Sequence, residues 1–184
     1  MTDTGPRTLP GDLTGHALID RIVRVDHAGE YGAMRIYDGQ LAVLGNKSEA
    51  GAAIEKMRDQ EREHLDWFEA AVPRYRARPT VLHPLWHVGG FVLGAATAAL
   101  GPRAAMACTV AVEEVIDEHY AKQTRQLGDT EPELVAKIEQ FRAEELEHRD
   151  TGLAHEAEQA PAYPVLRAAV KGACRFAIFL SERV

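Results

Sequence analysis

The sequence predicts an all-α protein: a four-helix bundle, an additional C-terminal helix, and an apolar helical segment suited to a membrane interface. Three observations lead there. Long proline-free stretches rich in Ala, Glu, Leu and Arg dominate the chain, with glycine and proline gathered at their ends. No run alternates apolar and polar residues for the length of a strand. Four apolar seams at helical spacing are each interrupted by a glutamate. A bare carboxylate buried in such a seam costs several kcal/mol unless it is paired, protonated or metal-bound, so four of them imply seams that face one another around one shared site.

The bulk properties set the frame. At 184 residues the chain fits one domain with a substantial core. Residues 1–13, polar and containing Pro6 and Pro10, read as a disordered tip that is neither a signal peptide nor an Arg-rich transit sequence; residues 14–184 read as the domain. A formal charge of -7 argues against nucleic acid as the main partner. Cys108 and Cys174 lack any metal-type spacing and read as reduced thiols, which favours a reducing compartment.

The first helix is expected from near Thr14 to Leu44, stopped by Gly45-Asn46. Its seam is Ile19, Val23, Asp26, Glu30, Ala33, Tyr37 and Leu44, with the small Ala28 and Gly29 beside the acid. Ser48 can cap the second helix, which stops by Pro73 and carries Ile54, Met57, Glu61, His64 and Phe68 on one face. Glu61 and His64 stand three apart, so both side chains reach the same point. A basic connector follows, Arg74 to Pro79.

From Pro84 to Val112 the only charge is Arg103, and Gly101-Pro102 breaks the run. It is too short to span a bilayer twice. A single span would leave the repeated motifs on opposite sides of the membrane. A buried core helix or a helix pair lying in the membrane interface remains, and the interface is favoured because the basic connector and Arg103 suit an anionic lipid surface. The helix restarting at Pro102 runs through Val110, Glu113, Ile116, Asp117 and Tyr120 to Gly128, with Glu113 as the inward member of the Glu113/Glu114 pair. The next, from about Glu131 to Gln159, carries Leu134, Ile138, Phe141, Glu145, His148 and Gly152 on its inner face. Pro161 and Pro164 introduce a last apolar helix, Val165 to Leu180.

Two Glu-x-x-His pairs are near what chance supplies; their setting carries the weight. Glu30 precedes Glu61 by nearly the same distance as Glu113 precedes Glu145, so the chain reads as two helix pairs, each offering a lone Glu and then a Glu-x-x-His. That is the ligand set of ferritin-like dimetal carboxylate bundles. Two divalent ions would neutralise four carboxylates, oxygen donors with two imidazoles suit iron or manganese, and the lack of thiolates argues against structural zinc. Asp26 and Asp117, one turn from Glu30 and Glu113, are candidates to hold a ligand imidazole by its second nitrogen. His119 and Tyr120 are candidates to relay protons or electrons. His16, His83, His87 and His155 read as surface or capping residues.

The stretches Asp26-His27-Ala28-Gly29-Glu30-Tyr31-Gly32-Ala33, Glu61-Arg62-Glu63-His64, Ala111-Val112-Glu113-Glu114, Glu144-Glu145-Leu146-Glu147-His148 and Leu180-Ser181-Glu182-Arg183 resemble the demethoxyubiquinone hydroxylases of ubiquinone biosynthesis, with similarity from about Leu18 to Val184. The resemblance implies a membrane-associated di-iron monooxygenase that hydroxylates the ring of a polyprenyl methoxy-benzoquinol with O2. It carries iron binding onto Glu30, Glu61, His64, Glu113, Glu145 and His148. It further implies electrons from NADH or the quinol, a lipid-presenting partner protein, a homo-oligomer, and a peripheral place on the cytoplasmic face of the inner membrane or on the matrix face of an organelle. Two rival functions are a ferritin-like ferroxidase or peroxidase and a non-catalytic helical membrane-surface adaptor.

Overall fold

The computed structural model describes residues 13–184, so the expected disordered tip lies, Leu13 apart, outside the described residues. Six α-helices follow in order: α1 (Gly15–Leu44), α2 (Glu49–Arg74), α3 (His83–Ala99), α4 (Pro102–Leu127), α5 (Pro132–Ala154) and α6 (Tyr163–Ser181), with a 3-10 turn at Ala157–Gln159. The described residues contain no strand. Ser48 caps α2 as its position predicts, its hydroxyl accepting the Gly51 N–H at 3.1 Å.

The bundle is two antiparallel hairpins, α1/α2 and α4/α5, packed face to face, with α3 laid along α1 and α6 along α4. Each seam buries apolar residues at both ends and its acid in the middle. At one end Ile22, Val23, Phe68, Tyr120, Leu134, Ile138 and Phe141 form a core cluster; at the other Tyr37, Ile54, Met57, Met106 and Val110 form a second. Glu30, Glu61, Glu113 and Glu145 fall between them. Apolar burial at about 25 cal/mol per Å² on either side therefore drives the carboxylates together rather than out to water.

The apolar run from Pro84 to Val112 divides in two. Its second half, Ala104 to Val112 in α4, is fully buried core. Its first half, α3, keeps an outer face of Leu85, Val88 and Val92 exposed. Of the two halves only α3 has an exposed apolar face; the turn at Leu100-Gly101 separates them, with Gly101 at a φ of 111° that favours glycine. Among the described residues no helix is long and apolar enough to cross a membrane.

Two other boundaries differ from expectation. The α5 helix ends at Ala154 rather than Gln159, because Glu156 takes a left-handed conformation (φ 60°) and the chain tightens into the 3-10 turn. The Glu156 carboxylate there pairs with Arg103 at the start of α4, at 2.6 Å. The last helix starts two residues earlier than expected, at Tyr163, with Pro164 tolerated in its first turn. Its end is tied down: buried Ser181 accepts from Trp86 Nε1 of α3 at 3.0 Å, and Arg24 of α1 donates to the Glu182 carbonyl.

α3 lies close on α1 because glycines remove the side chains between them. A Cβ added at Gly94 would stand 1.9 Å from the Ile36 carbonyl oxygen, and one at Gly39 would stand 2.1 Å from that of Phe91. Backbone, unlike a flexible side chain, has nowhere to go. Gly94→Ala should therefore cost about 2 kcal/mol or more by forced separation of α1 and α3, lowering the Tm by roughly 4–8 °C in a calorimetric melt; an unchanged Tm would show that the helices part freely.

Candidate metal centre

All six acids and imidazoles singled out in the sequence meet in the middle of the bundle, each at most 3% exposed. Ligand-capable atoms of Glu30, Glu61, His64 and Glu145 lie within 4.8 Å of one another, as do those of Glu61, Glu113, Glu145 and His148. Glu61 and Glu145 belong to both groups. The geometry is that of two adjacent cation positions with two shared carboxylates between them, Glu30 and His64 at one end, Glu113 and His148 at the other.

Both imidazoles turn Nδ1 inward. His64 Nδ1 stands 3.2 Å from Glu145, 3.5 Å from Glu30 and 3.7 Å from Glu61; His148 Nδ1 stands 3.0 Å from Glu145 and 3.2 Å from Glu61. The outer nitrogens are held from outside: His64 Nε2 by Glu144 at 2.6 Å and His148 Nε2 by the Gln60 side-chain amide oxygen at 3.3 Å. These bonds put the proton on Nε2 and leave Nδ1 free to ligate. The two lone glutamates are steadied by phenols, Glu113 accepting from Tyr37 at 2.9 Å and Glu30 from Tyr120.

The donor set fits a pair of divalent cations on an independent observation: both oxygens of buried Glu61 have no hydrogen-bond partner, which is unusual for a buried carboxylate unless something else satisfies it. The electrostatics agree. Burial, and then the neighbouring Glu145 and Glu61, push the Glu113 carboxyl well above the usual carboxylate range. Burial resists charge on His148, but the nearby Glu145 and Glu61 carboxylates outweigh it and push the imidazole up to about 11; His64 is raised in the same way by Glu145, Glu30 and Glu61. Without cations the site holds protons instead.

The neighbouring acids do something other than expected. Asp117 points away and pairs with Arg142 at 2.6 Å, so it holds no ligand imidazole. Asp26 is buried but accepts from Gln123 at 2.6 Å and stands 3.7 Å from His119, again not touching His64 or His148. The anchoring role assigned to these two falls to Glu144 and Gln60, which one helix turn along the seam does not reveal, because each approaches an imidazole carried by the facing helix. Of the relay candidates, Tyr120 touches the site and His119 does not; burial, with Lys122 and Arg21 nearby, lowers the His119 pKa to about 4. Of the histidines expected at the surface, His87 is exposed there, bonded to the Tyr31 hydroxyl, while His83 is half-buried and meets His27 of α1.

The model of the ubiquinone biosynthesis protein COQ7 family matches residues 17–181. The chain belongs to that family. It is 58% identical over 181 residues to a 3-demethoxyubiquinol 3-hydroxylase of Rhodospirillum rubrum, covering 98% of this chain and 85% of the relative. It is 57% identical over 177 residues to the human NADPH-dependent 3-demethoxyubiquinone 3-hydroxylase, mitochondrial, covering 94% and 81%. The Saccharomyces cerevisiae 5-demethoxyubiquinone hydroxylase, mitochondrial, is 41% identical over 184 residues, covering 91% and 79%. The COQ7-family assignment agrees with the resemblance carried by the sequence motifs.

Because Glu113, Asp26, His64 and His148 all bind protons more tightly folded than unfolded, their stabilisation is complete below their unfolded pKa values and is lost as pH rises. The metal-free protein should lose thermal stability steadily from about pH 6 to about pH 9, followed by circular dichroism. With divalent cation present the slope should reverse, since the ion competes with those protons.

Proposed function

We propose that this chain is a di-iron monooxygenase that hydroxylates the ring of a polyprenyl methoxy-methyl-benzoquinol, working from the surface of a membrane. The observation that carries the reading is the buried pair of four-donor groups sharing Glu61 and Glu145, set against the hydroxylase names of its relatives. Glu30, Glu61, His64, Glu113, Glu145 and His148 would hold two iron ions, which supply reduction and activation of O2. NADH was the donor implied by the motifs and NADPH stands in the human relative's name; a reduced nicotinamide or the quinol itself is the reductant proposed here.

The chain's own part is arrangement and exclusion. Glu144 and Gln60 fix the two imidazoles, and Tyr37 and Tyr120 fix the terminal carboxylates, so the donor set is assembled before substrate arrives. Tyr120, bonded to Glu30, is the proton relay proposed at the site.

An apolar cavity of about 320 Å³ lies among α1, α3, α4 and α6, its lining including residues next in the chain to two of the six donors. It is lined by Ala28, Gly29 and Ala33 of α1, Val112 and Ile116 of α4, Trp86, Gly89 and Gly90 of α3, and Cys174 and Phe176 of α6. Gly29 and Val112 adjoin Glu30 and Glu113 in the chain, so a ring in the cavity would sit beside the terminal ligands. The cavity walls carry almost no polar groups, which suits an isoprenoid tail and keeps bulk water off the reacting centre. A soluble ferroxidase needs no such cavity.

Membrane docking is the finer part of the proposal. The helices that bound the cavity mouth also expose Leu85, Val88 and Val92 on α3 and Phe176 and Phe179 on α6, with Arg183 stacked on Phe179 at 3.6 Å. An apolar face with a cationic edge suits the headgroup region, on the cytoplasmic or matrix side where a reductant is at hand. A lipid-presenting partner and self-association belong to the same surface.

Turnover of a short-chain demethoxyubiquinol by the iron-loaded protein with NADH or NADPH and 18O2 should give quinone carrying one labelled oxygen by mass spectrometry; unchanged quinone from protein with two irons bound would overturn the assignment. The doubly substituted Val88→Glu, Phe179→Glu protein should lose co-sedimentation with anionic phospholipid vesicles while keeping its iron. Retained vesicle binding would move the docking face elsewhere.

A further inference from the structure

We propose that His27 and His83 form a separate two-imidazole metal site that takes a zinc- or copper-class divalent ion and pins the start of α3 to α1. His27 is buried in α1, and His83 opens α3. The His27 Nδ1 and His83 Nε2 atoms face each other at 3.3 Å, with their rings tilted by 54°. In the free pair that separation allows a hydrogen bond between the two ring nitrogens. It is the span of two imidazole nitrogens each about 2.0–2.1 Å from one tetrahedral ion, roughly 3.3–3.4 Å apart.

The protonation state is right for ligation. Burial, and then His83, lower the His27 pKa to about 4, and burial lowers that of His83, so both rings are neutral at physiological pH. In the free pair one ring nitrogen carries the shared proton; binding an ion needs only its transfer to the far nitrogen of the same ring. Glu69 of α2 is the carboxylate whose field reaches His83. His87 is turned to α1 instead, its Nδ1 bonded to the Tyr31 hydroxyl at 2.7 Å. Two protein nitrogens leave the remaining coordination positions to water, and neutral imidazole favours zinc, copper or nickel over magnesium or calcium.

The site is distinct from the carboxylate centre, whose two groups include neither histidine. Its consequence is mechanical. Trp86, Gly89 and Gly90, which follow His83 in α3, form one wall of the apolar cavity. An ion at His83 would brace that wall and restrict entry of a bulky apolar ligand.

The test is equilibrium dialysis of the full chain against Zn2+, with metal counted per chain. Wild type should saturate at three ions, His27→Gln and His83→Gln at two, and His87→Gln at three. Saturation of wild type at two, or a third ion retained in both His27→Gln and His83→Gln, would overturn the proposal. Should either variant unfold, crystals of wild type soaked in Zn2+ decide it alone: an anomalous peak within about 2.1 Å of both nitrogens supports the site, and its absence there removes it.

Discussion

The structure depends on mutual compensation among six buried ionisable side chains. Four carboxylates in an apolar bundle would each cost several kcal/mol if left alone, yet here they stand within a few ångströms of one another and of two imidazoles. Protons or cations must make up the charge. The raised pKa values of Glu113, His64 and His148 are the proton version of that compensation, and two divalent ions are the version that would also satisfy the unpartnered oxygens of Glu61. A site that must be filled to be stable is also a site preorganised for what fills it.

The rest of the bundle can be understood as support for that layer. Apolar clusters above and below fix the register of the four seams, so the acids cannot slip to the surface without exposing Ile, Phe and Met. Tyr37, Tyr120, Glu144 and Gln60 then take up the outward-facing bonding capacity of the donors. On the α1/α4 flank the packing is deliberately thin: Ala28, Gly29, Gly32 and Gly90 leave space that α3 and α6 enclose without filling. Gly90 serves both purposes, lining the cavity and letting α3 approach the Gly32 carbonyl of α1, whereas Gly39 and Gly94 serve the helix contact alone.

α3 and α6 have a double character that follows from this arrangement. Each offers one face to the bundle and one to the surroundings, and Leu85, Val88, Val92, Phe176 and Phe179 are exposed on the outer faces. Large apolar side chains grouped at the rim of a cavity are unusual for a protein surface bathed only in water. They are physically reasonable where the ligand is itself dissolved in lipid.

Much of the site was legible before any coordinates, because helical periodicity is local: Glu61 with His64, Glu145 with His148, and the placing of Glu30 and Glu113 on apolar seams follow from spacing alone. The motifs likewise carried the family. What periodicity could not give is which residue of one helix meets which residue of another. Asp26 and Asp117 lie on plausible turns, but the imidazoles' outer nitrogens are met by Glu144 and Gln60 from facing helices; Asp117 is taken by Arg142. The break of the apolar run at Gly101-Pro102 was legible, but only packing decided that the α4 half is core while α3 keeps an exposed face. His27 and His83, distant in sequence and unremarkable there, were brought together by the α1/α3 crossing. The sequence alone determined the helices and the ligand-type residues each one carries, since these depend on neighbours a few positions away. Tertiary structure decided the partners, the cavity and the exposed face, since these depend on how closely backbone can approach backbone.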